Sequence, residues 1–241
     1  MPVLRFADFR RIVFFTGAGL SAESGIPTYR GAGGLWNEYR YEDYACQRAF
    51  DRDPEKVWDF HDVRRAFVAS KEPNLGHRII AEVQRDIPGT VVVTQNIDGL
   101  HARSSASIHA TEGARGREGL VELHGSLWRV RCDAERQVHE DFTLPIERKC
   151  SCGAYLRPDI VWFEDALDPR VVARAREALA SCDLLVSVGT SAVVYPAADL
   201  PRIAARAGAV TVEVNLEDTP MSDLYTHRLR GKASEVLAEL R

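Results

Sequence analysis

The 241-residue chain is 45% hydrophobic, which is enough for one sizeable core and a small second lobe. Its formal net charge of -4 at pH 7, without any block of basic residues, argues against a protein that binds nucleic acid through phosphate contacts. No apolar run approaches the roughly 18 residues that span a bilayer, and the odd number of cysteines, five, suits free thiols or metal ligands better than disulfides.

The first predicted element is a short buried strand that ends in a glycine turn. Residues Arg11–Thr16 (RIVFFT) are mostly β-branched or aromatic, and the run is too short for a core helix. Gly17, Gly19 and Ala22 then fit the pattern G-x-G-x-x-G/A, whose glycines let the backbone approach a pyrophosphate at a helix N-terminus. From this motif alone, a glycine turn without a ligand is the alternative.

A second glycine-rich segment follows where an ordinary dinucleotide-binding fold would continue. Residues 24–34 (SGIPTYRGAGG) interrupt the strand-helix rhythm, and no acidic residue ends a second strand about twenty positions on, where it would hold a ribose. A long loop in this position is expected to be functional rather than a simple connection.

The remaining elements predict an α/β fold with a parallel sheet covered by helices on both faces. Three further apolar runs predict strands, namely Thr90–Thr94, Asp183–Val188 and Val210–Val214. Apolar residues recur at helical spacing from Asp168 to Cys182, with Asp168-Pro169 as a start signal. Because ligands bind outside the carboxyl ends of such strands, the polar residues after each strand are candidate site residues.

Six segments of the chain, taken together, resemble one protein family. They are GAGLSAESGIPTYRGAGGLW (17–36), TQNIDGLH (94–101), LHGS (123–126), RPDIVWFED (157–165), VGTSAVVYPAA (188–198) and VNLE (214–217). In this order they are similar to the signatures of the sirtuins, the NAD-dependent protein deacylases, and the resemblance covers about residues 10–238. The family usually has phenylalanine where this chain has Tyr29.

The resemblance implies a domain organisation in which a Rossmann-like NAD-binding domain carries a smaller lobe. The NAD-binding domain would comprise residues 1–31, 89–125 and 157–241, and residues 32–88 and 126–156 would contribute a helical module and a zinc-ribbon-like module. Residues Ala102–Gly119 are small and polar, and we expect a surface loop there.

The implied reaction consumes NAD. The acyl-lysine carbonyl oxygen attacks the anomeric carbon of the nicotinamide ribose and nicotinamide leaves. A ribose hydroxyl, deprotonated by a histidine, then attacks the acyl carbon. Water finally releases free lysine and O-acyl-ADP-ribose. By resemblance His124 is this general base, Asn96 and Asp98 position the nicotinamide ribose and carboxamide, and Gln95 contacts the ribose. From the residues alone, an Asx turn at 95–98 that caps the next helix and a core histidine at 124 are the alternatives.

The other implied NAD contacts lie on the glycine turn, on a lid formed by residues 26–36, and after the later strands. Gly189–Ser191, Asn215–Glu217 and Ala233 would bind the adenosine half, although each could also be an ordinary strand-to-helix turn. The full predicted set is Gly17, Ala18, Gly19, Ser21, Ala22, Tyr29, Arg30, Trp36, Gln95, Asn96, Ile97, Asp98, His124, Gly189, Thr190, Ser191, Asn215, Leu216, Glu217 and Ala233.

Substrate contacts are predicted on two β-prone segments and one helix. An acyl-lysine peptide could add as an extended strand between Val161-Trp162-Phe163 and Val193-Val194-Tyr195, or these could be two core strands. In the family branch that removes acidic acyl groups, a tyrosine and an arginine three residues apart hold the acyl carboxylate. This chain has Arg64 but His61 in place of the tyrosine, so we expect succinyl and malonyl as well as acetyl substrates. Arg64 as a solvated helix residue is the alternative.

The cysteines depart from the family pattern of two C-x-x-C pairs that bind structural zinc. Cys132 is followed three residues later by Glu135, and the second pair is Cys150-Ser151-Cys152. Structural zinc is bound by four ligands, so Glu135, His139 or another group would have to complete the site. A lobe without metal is the alternative. Cys46 and Cys182 are predicted to be small buried hydrophobic residues.

Three other functions use the same features. They are an NAD-dependent dehydrogenase, a non-catalytic NAD or ADP-ribose sensor, and a mono-ADP-ribosyltransferase. The N-terminal segment MPVLRFADFRR has no signal-peptide pattern. We therefore expect a cytoplasmic monomer that acts on acyl-lysine proteins or peptides, without a membrane or a nucleic acid as partner.

Overall fold

Two β-sheets organise the chain in the computed structural model, which describes residues 4–29, 33–108 and 119–241. No helix within these ranges is both long enough and apolar enough to cross a membrane. The strands are β1 (Ile12–Thr16), β2 (Val91–Thr94), β3 (Leu120–Glu122), β4 (Gly125–Cys132), β5 (Gln137–Glu140), β6 (Arg157–Ile160), β7 (Leu184–Val188), β8 (Val210–Asn215) and β9 (His227–Arg230).

Six strands form a parallel sheet in the order β3-β2-β1-β7-β8-β9, which confirms the predicted fold class. The predicted strands agree with β1, β2, β7 and β8 to within one residue at either end. Strand order reverses between β1 and β7, where Thr16 pairs with Val188. In open parallel sheets, ligands bind at the carboxyl ends of the strands beside such a reversal.

Helices cover both faces of this sheet because its strands are apolar on both sides. Ile12 and Phe14 belong to one buried cluster, and Val13 and Phe15 belong to another, as expected where successive side chains alternate between faces. The helices are α1 (Ala18–Ala22), α2 (Leu35–Glu38), α3 (Tyr41–Tyr44), α4 (Gln47–Arg52), α5 (Pro54–Ala69), α6 (Leu75–Asp86), α7 (Leu100–Ile108), α8 (Pro169–Ser181), α9 (Pro201–Arg206) and α10 (Ala233–Glu239).

Helix starts follow the signals in the sequence. Asp53 caps α5 by accepting a hydrogen bond from the Lys56 amide, and Asp168 caps α8 in the same way from the Arg170 amide. In both helices a proline occupies the first turn, where no backbone donor is needed.

The surface loop expected at Ala102–Gly119 is wrong over its first part. Helix α7 runs to Ile108, and Ser104 and Ser105 lie buried on it. The helix forms there because Asp98 Oδ1 accepts a hydrogen bond of 2.9 Å from the Leu100 amide at its start. The later part of that prediction, residues 109–118 including His109, lies outside the described residues.

A second core joins helices α3–α5 to the antiparallel sheet β5-β4-β6. Trp58 lies at its centre, fully buried, and its indole Nε1 donates a hydrogen bond of 2.7 Å to the Leu156 carbonyl. This core touches the parallel sheet's loops through Trp128, whose Nε1 donates to the Asp98 carbonyl at 2.7 Å. The division into an NAD-binding domain and a smaller lobe, with the boundaries expected from the sequence, remains a prediction.

Candidate functional site

A cavity of about 1110 Å³ lies at the carboxyl ends of the parallel strands. Gly17, Gln95 and Gly189, which directly follow β1, β2 and β7, line one side of it. The cavity is slightly larger than the range of about 300–1,000 Å³ that is usual for ligand pockets. Its position at the reversal of strand order, together with its size, makes it the candidate active site.

The glycine turns are held together by direct backbone contact. A Cβ atom on Gly19 would lie 2.7 Å from the Gly189 Cα atom, and one on Gly17 would lie 2.8 Å from the Gly189 carbonyl oxygen. Gly189 itself has φ +60°, a conformation that favours glycine. From the sequence, glycine at positions 17 and 19 was explained by the approach of a ligand to the backbone. Close packing between the turns after β1 and β7 is a second reason why glycine is needed there.

His124 lies in the tight turn between β3 and β4 and lines the cavity. Its Nδ1 atom is 2.9 Å from the Gln95 carbonyl oxygen. A carbonyl can only accept, so Nδ1 carries the hydrogen and Nε2 of the neutral ring keeps a free lone pair. Burial lowers the pKa of His124, against the opposite effect of the hydrogen bond to Gln95. The ring is therefore suited to accept a proton at Nε2.

Asn96 is anchored from behind by a small buried network. Its Nδ2 atom donates to the Gly17 carbonyl at 3.0 Å and to Ser21 Oγ at 3.1 Å, and Ser21 Oγ donates to Asp98 Oδ2 at 2.7 Å. Burial raises the pKa of Asp98, while hydrogen bonds from the Leu100 amide and Ser21 lower it. Gln95, Asn96 and Ile97 line the cavity, whereas Ser21 and Asp98 are buried behind it.

A second buried network supports the same loop from the sheet side. Thr16 Oγ1 is 2.9 Å from His101 Nε2 and 2.8 Å from Thr94 Oγ1, which in turn accepts a hydrogen bond of 3.0 Å from the Asn96 amide. The His101 ring contacts His77 at 5.0 Å between centroids. Burial lowers the pKa of both rings, that of His101 to about 4, so these histidines are neutral structural groups.

The far end of the cavity collects residues that the sequence predicted for the adenosine half. Asn215 Nδ2 donates to the Thr190 carbonyl at 2.8 Å, which joins the turns after β7 and β8. The predicted NAD contacts that line the cavity are Gly17, Ala18, Gly19, Ala22, Tyr29, Trp36, Gln95, Asn96, Ile97, His124, Gly189, Thr190, Ser191, Asn215, Leu216, Glu217 and Ala233. Arg30 lies outside the described residues, and contacts of Ser21 and Asp98 with NAD stay predictions.

The opposite end of the cavity is aromatic and carries the cation Arg64. His61 and Arg64 of α5 both line it, and the Arg64 guanidinium lies over the Tyr29 ring at 5.4 Å. Burial raises the pKa of Tyr29, opposed by the charge of Arg64. Among the described residues no carboxylate forms an ion pair with Arg64. The neighbouring Arg65 is instead buried, and its Nη2 donates to the Asp141 carbonyl at 2.7 Å.

The two segments predicted to hold a peptide border the cavity as irregular chain, so the alternative of two core strands is wrong. The Val161 amide donates to the His124 carbonyl at 2.9 Å, and the Phe163 amide donates to the Ala45 carbonyl at 3.0 Å. Apart from an isolated parallel bridge between Phe163 and Cys46, these bonds do not extend into strands. Val161, Trp162, Phe163, Val194 and Tyr195 line the cavity, whereas Val193 is exposed beside it.

A separate cluster fits a structural metal ion. The ligand atoms of Cys132, Glu135, Cys150 and Cys152 all lie within 4.8 Å of one another, and the Cys132 and Cys152 sulfur atoms are 3.6 Å apart. Two thiolates on a tetrahedral zinc ion would be separated by about 3.8 Å. The set therefore fits zinc, with Glu135 in the fourth position. Cys46 and Cys182 are buried as predicted.

Some lining residues were not predicted from the sequence. Thr28 and Leu35 lie within the predicted lid of residues 26–36 but were not named as contacts, Phe60 precedes His61 on α5, and Thr219 follows the turn after β8. Proximity to predicted residues was the available signal for Thr28, Leu35 and Phe60. Nothing in the spacing marked Thr219.

Comparisons with known proteins agree with this geometry. The Sir2 family model matches residues 17–196. An NAD-dependent protein deacylase of Aquifex aeolicus (strain VF5) is 41% identical over 233 residues, which are 95% of this chain and 93% of the relative. The mitochondrial NAD-dependent protein deacylase sirtuin-5 of Canis lupus familiaris is 38% identical over 276 residues, covering 99% of this chain and 85% of the relative.

Solved structures give the same result. A Sir2 homologue in complex with NAD superposes with a TM-score of 0.85 at 42% identity, covering 98% of this chain and 89% of that one. A complex of Sir2 with a p53 peptide and NAD+ has a TM-score of 0.79 at 28% identity, covering 98% of this chain and 93% of that one. The family model matches more than half of the chain, and the relatives and solved structures cover nearly all of it, so the chain belongs to the Sir2 family.

Proposed function

We propose that this chain is an NAD-dependent protein-lysine deacylase that releases nicotinamide and O-acyl-ADP-ribose. The relatives that carry the name NAD-dependent protein deacylase support the reaction class. The proposal rests chiefly on the placement of His124. Its Nδ1 atom is hydrogen-bonded to the Gln95 carbonyl, and its side chain lines the same cavity as the glycine turn.

His124 has the role of general base. NAD supplies the ribose that receives the acyl group when it is bound. Nε2 of His124 accepts the proton of a ribose hydroxyl. The Gln95 carbonyl accepts a hydrogen bond from Nδ1 throughout, which stabilises the positively charged ring that forms. Such a positioned base is worth about 10²- to 10⁴-fold in rate.

Asn96 and Asp98 have the role of orienting groups. The side chain of Asn96 is fixed by Gly17 and Ser21, so the amide is held at the cavity wall before a substrate arrives. Asp98 acts through Ser21 and through the start of α7. Trp36 and Phe163, whose rings meet at 5.5 Å, close the aromatic side and exclude water from the reacting atoms.

The acyl preference extends to succinyl and malonyl groups. Support comes from Arg64, a cavity-lining cation without a carboxylate partner in the described part of the chain, and from the sirtuin-5 relative. A guanidinium can bind a carboxylate through two parallel hydrogen bonds. Substrate peptides would lie between residues 161–163 and 193–195, and the p53 peptide complex of a Sir2 structure supports peptides as partners.

The first experiment separates the deacylase from its alternatives. The protein is incubated with NAD and an acetyl-lysine peptide, and mass spectrometry follows nicotinamide, O-acetyl-ADP-ribose and the peptide. Formation of NADH would indicate a dehydrogenase, ADP-ribose attached to protein would indicate a transferase of that kind, and binding without turnover would indicate a sensor. Each of these outcomes without O-acetyl-ADP-ribose contradicts the proposal.

The second experiment tests the acidic acyl groups. The ratio of kcat/KM for matched succinyl and acetyl peptides is measured for the wild type and for Arg64→Gln. A charged hydrogen bond contributes about 1.5–3 kcal/mol, so the ratio should fall about tenfold or more. The exposed Arg206 provides the matched control Arg206→Gln, which should leave the ratio unchanged. An Arg64→Gln protein with the wild-type ratio would remove Arg64 from the acyl site.

The cytoplasmic location, the monomeric state and the domain division given above belong to the same proposal. The absence of any membrane-length helix within the described ranges is consistent with the first of these. Size-exclusion chromatography with light scattering tests the second. Limited proteolysis tests the third, with a cut expected in the exposed turn at Pro88-Gly89, at one of the predicted boundaries.

A further inference from the structure

We propose that His61 makes the choice of acyl group depend on pH, because an acidic acyl group binds together with a proton that His61 takes up. An acetyl group binds without this proton. The inference rests on the proposed deacylase function and concerns how the same site is regulated.

The imidazole of His61 lacks a hydrogen-bond partner although it is almost completely buried. Its side chain lines the cavity one helical turn before Arg64, and the residue is 2% exposed. Neither ring nitrogen makes a hydrogen bond to any described residue. The Trp162 ring stacks on it at 5.9 Å and 22°, and the neighbouring rings of Trp58 and Phe60 offer no acceptor. The His77 ring also lacks a partner but lies away from the cavity, whereas His61 borders the cavity, where a bound ligand can supply the partner.

The charges around His61 are positive. Arg64 and Arg65 face it from its own helix, and Arg157 faces it from β6. Arg157 is paired with Asp165, and the Arg65 guanidinium is 4.0 Å from an Asp141 carboxylate oxygen. Arg64 makes no ion pair with a carboxylate among the described residues, although its charge opposes the burial that raises the pKa of Asp98, and its guanidinium lies over the Tyr29 ring.

Burial, followed by the charge of Arg64, lowers the pKa of His61 to about 3. The nearby backbone of Tyr44 in α3 acts in the opposite direction, although it does not form a hydrogen bond with the ring. The ring is thus neutral in the free protein at any working pH. A carboxylate placed beside Arg64 and His61 leaves the burial in place, but it cancels the charge of Arg64 and attracts a proton to the ring. The pKa of His61 must then rise on binding.

The sign of the effect follows from linkage. A group whose pKa rises in the complex strengthens binding at pH values below that raised pKa, and the gain is lost as the pH rises through it. The substrate carboxylate stays ionised above about pH 5.5, because its own pKa resembles that of glutamate, about 4.3. His124 titrates equally with both substrates, so its contribution cancels in a ratio. The succinyl-to-acetyl ratio should therefore rise as the pH falls from 8 to 6.

Two variants isolate the proton from the hydrogen bond. His61→Tyr keeps a donor that cannot become positive near neutral pH, and His61→Gln keeps a polar side chain of similar reach. In the wild type, the kcat/KM ratio of succinyl to acetyl peptide should rise at least about threefold from pH 8 to pH 6. Both variants should give a ratio that does not change with pH. His227→Gln, at an exposed histidine of β9, should keep the wild-type slope.

Calorimetry detects the proton directly. Each peptide is titrated into the protein without NAD, so that no turnover occurs, in buffers with different ionisation enthalpies. The succinyl peptide should take up a fraction of a proton on binding, the acetyl peptide none, and His61→Tyr should abolish the uptake. This readout also covers the case in which one His61 variant fails to fold, because the comparison between peptides is made on the wild type.

The possible failures are distinguishable. A ratio that is independent of pH, with no proton uptake but with its dependence on Arg64 intact, overturns the role of His61 and leaves the proposed function standing. Deacetylation without any activity on succinyl peptide overturns both the role of His61 and the acidic preference. Absence of turnover with every acyl peptide overturns the proposed function itself.

Discussion

The Nδ1 atom of His124 and the carbonyl oxygen of Gln95 are 2.9 Å apart, so a backbone group of the loop after β2 fixes the tautomer of the proposed base. Burial lowers the pKa of His124, and the base must be neutral to act. We therefore expect kcat/KM for an acetyl peptide to be constant from pH 8 down to about 6.5, the ordinary histidine pKa, and to fall only below it. A pH profile of the wild type measures this.

His124→Ala should lower kcat/KM by about 10²- to 10⁴-fold without a change in the profile of unfolding by urea. His227→Ala, at an exposed position, is the matched control and should retain full activity. An acid limb centred above pH 7 would contradict the neutral, buried ring.

Ser21→Ala should weaken both the fold and the reaction. Ser21 Oγ donates to Asp98 Oδ2 and accepts from Asn96 Nδ2, so its removal leaves two buried polar groups each short of a partner. Such losses cost about 1–3 kcal/mol. The free energy of unfolding, from urea titration, and kcat/KM should both decrease. Ser107→Ala, which removes an exposed hydroxyl from α7, should change neither.

Thr94→Val tests the support of Asn96 from the sheet side. Thr94 Oγ1 accepts hydrogen bonds from the Asn96 amide and from Thr16 Oγ1, and valine has nearly the same shape without this acceptor. We expect kcat to fall about tenfold, roughly the effect of a buried hydrogen bond of 1–2 kcal/mol, with little change in KM for the peptide. Thr90→Val is a close control because the Thr90 hydroxyl is buried without a hydrogen-bond partner in the described residues. That substitution should be neutral or stabilising.

Gly19→Ala should reduce both the affinity for ADP-ribose and the stability of the protein. The new Cβ would lie 2.7 Å from the Gly189 Cα atom, so the turns after β1 and β7 must separate. Calorimetric titration with ADP-ribose measures the effect, and KM for NAD should rise in parallel. Gly208→Ala provides the comparison, since a Cβ there meets no atom within 4 Å although φ is +87°. Equal ADP-ribose affinity in Gly19→Ala and wild type would contradict the packing argument.

Glu135→Gln should weaken zinc binding while His139→Ala should not. The Glu135 carboxylate lies in the cluster with Cys132, Cys150 and Cys152, and His139 is exposed on β5 outside it. Elemental analysis of the purified protein should find one zinc ion per chain, and competition with a chelator should show weaker retention in Glu135→Gln. Cys132→Ser should lose the ion. Equal loss of zinc in His139→Ala would instead favour the histidine as fourth ligand.

Much of the fold could be predicted because the parallel strands are buried on both faces. Runs such as Ile12–Thr16 and Leu184–Val188 are therefore buried throughout and mostly apolar, and their ends coincide with polar or glycine residues. Helix α7 was missed because its small polar residues, among them Ser104 and Ser105, give little periodic signal. Its start depends on the Asp98 cap, which the sequence also offered as a ligand contact.

The site was predictable where it follows strand ends and less so where tertiary packing brings residues in. Gln95, Gly189 and Asn215 could be named from their places after strands, since those ends must meet at one edge of the sheet. Phe60 reaches the cavity only because α5 packs across it. The fourth metal position was open in the sequence, since only the fold shows that Glu135 and not His139 lies beside Cys150.

Strand β4 begins directly after His124 and ends at Cys132, a member of the metal cluster. Eight residues of extended chain place these two ends about 23 Å apart. Midway along the strand, Trp128 donates to the carbonyl of Asp98. A chelator that removes the metal would therefore release the Cys132 end of β4, far from the cavity. The other end of the same strand positions the His124 imidazole. Inactivation by metal removal would then report lost alignment, even though the ion never meets a reactant.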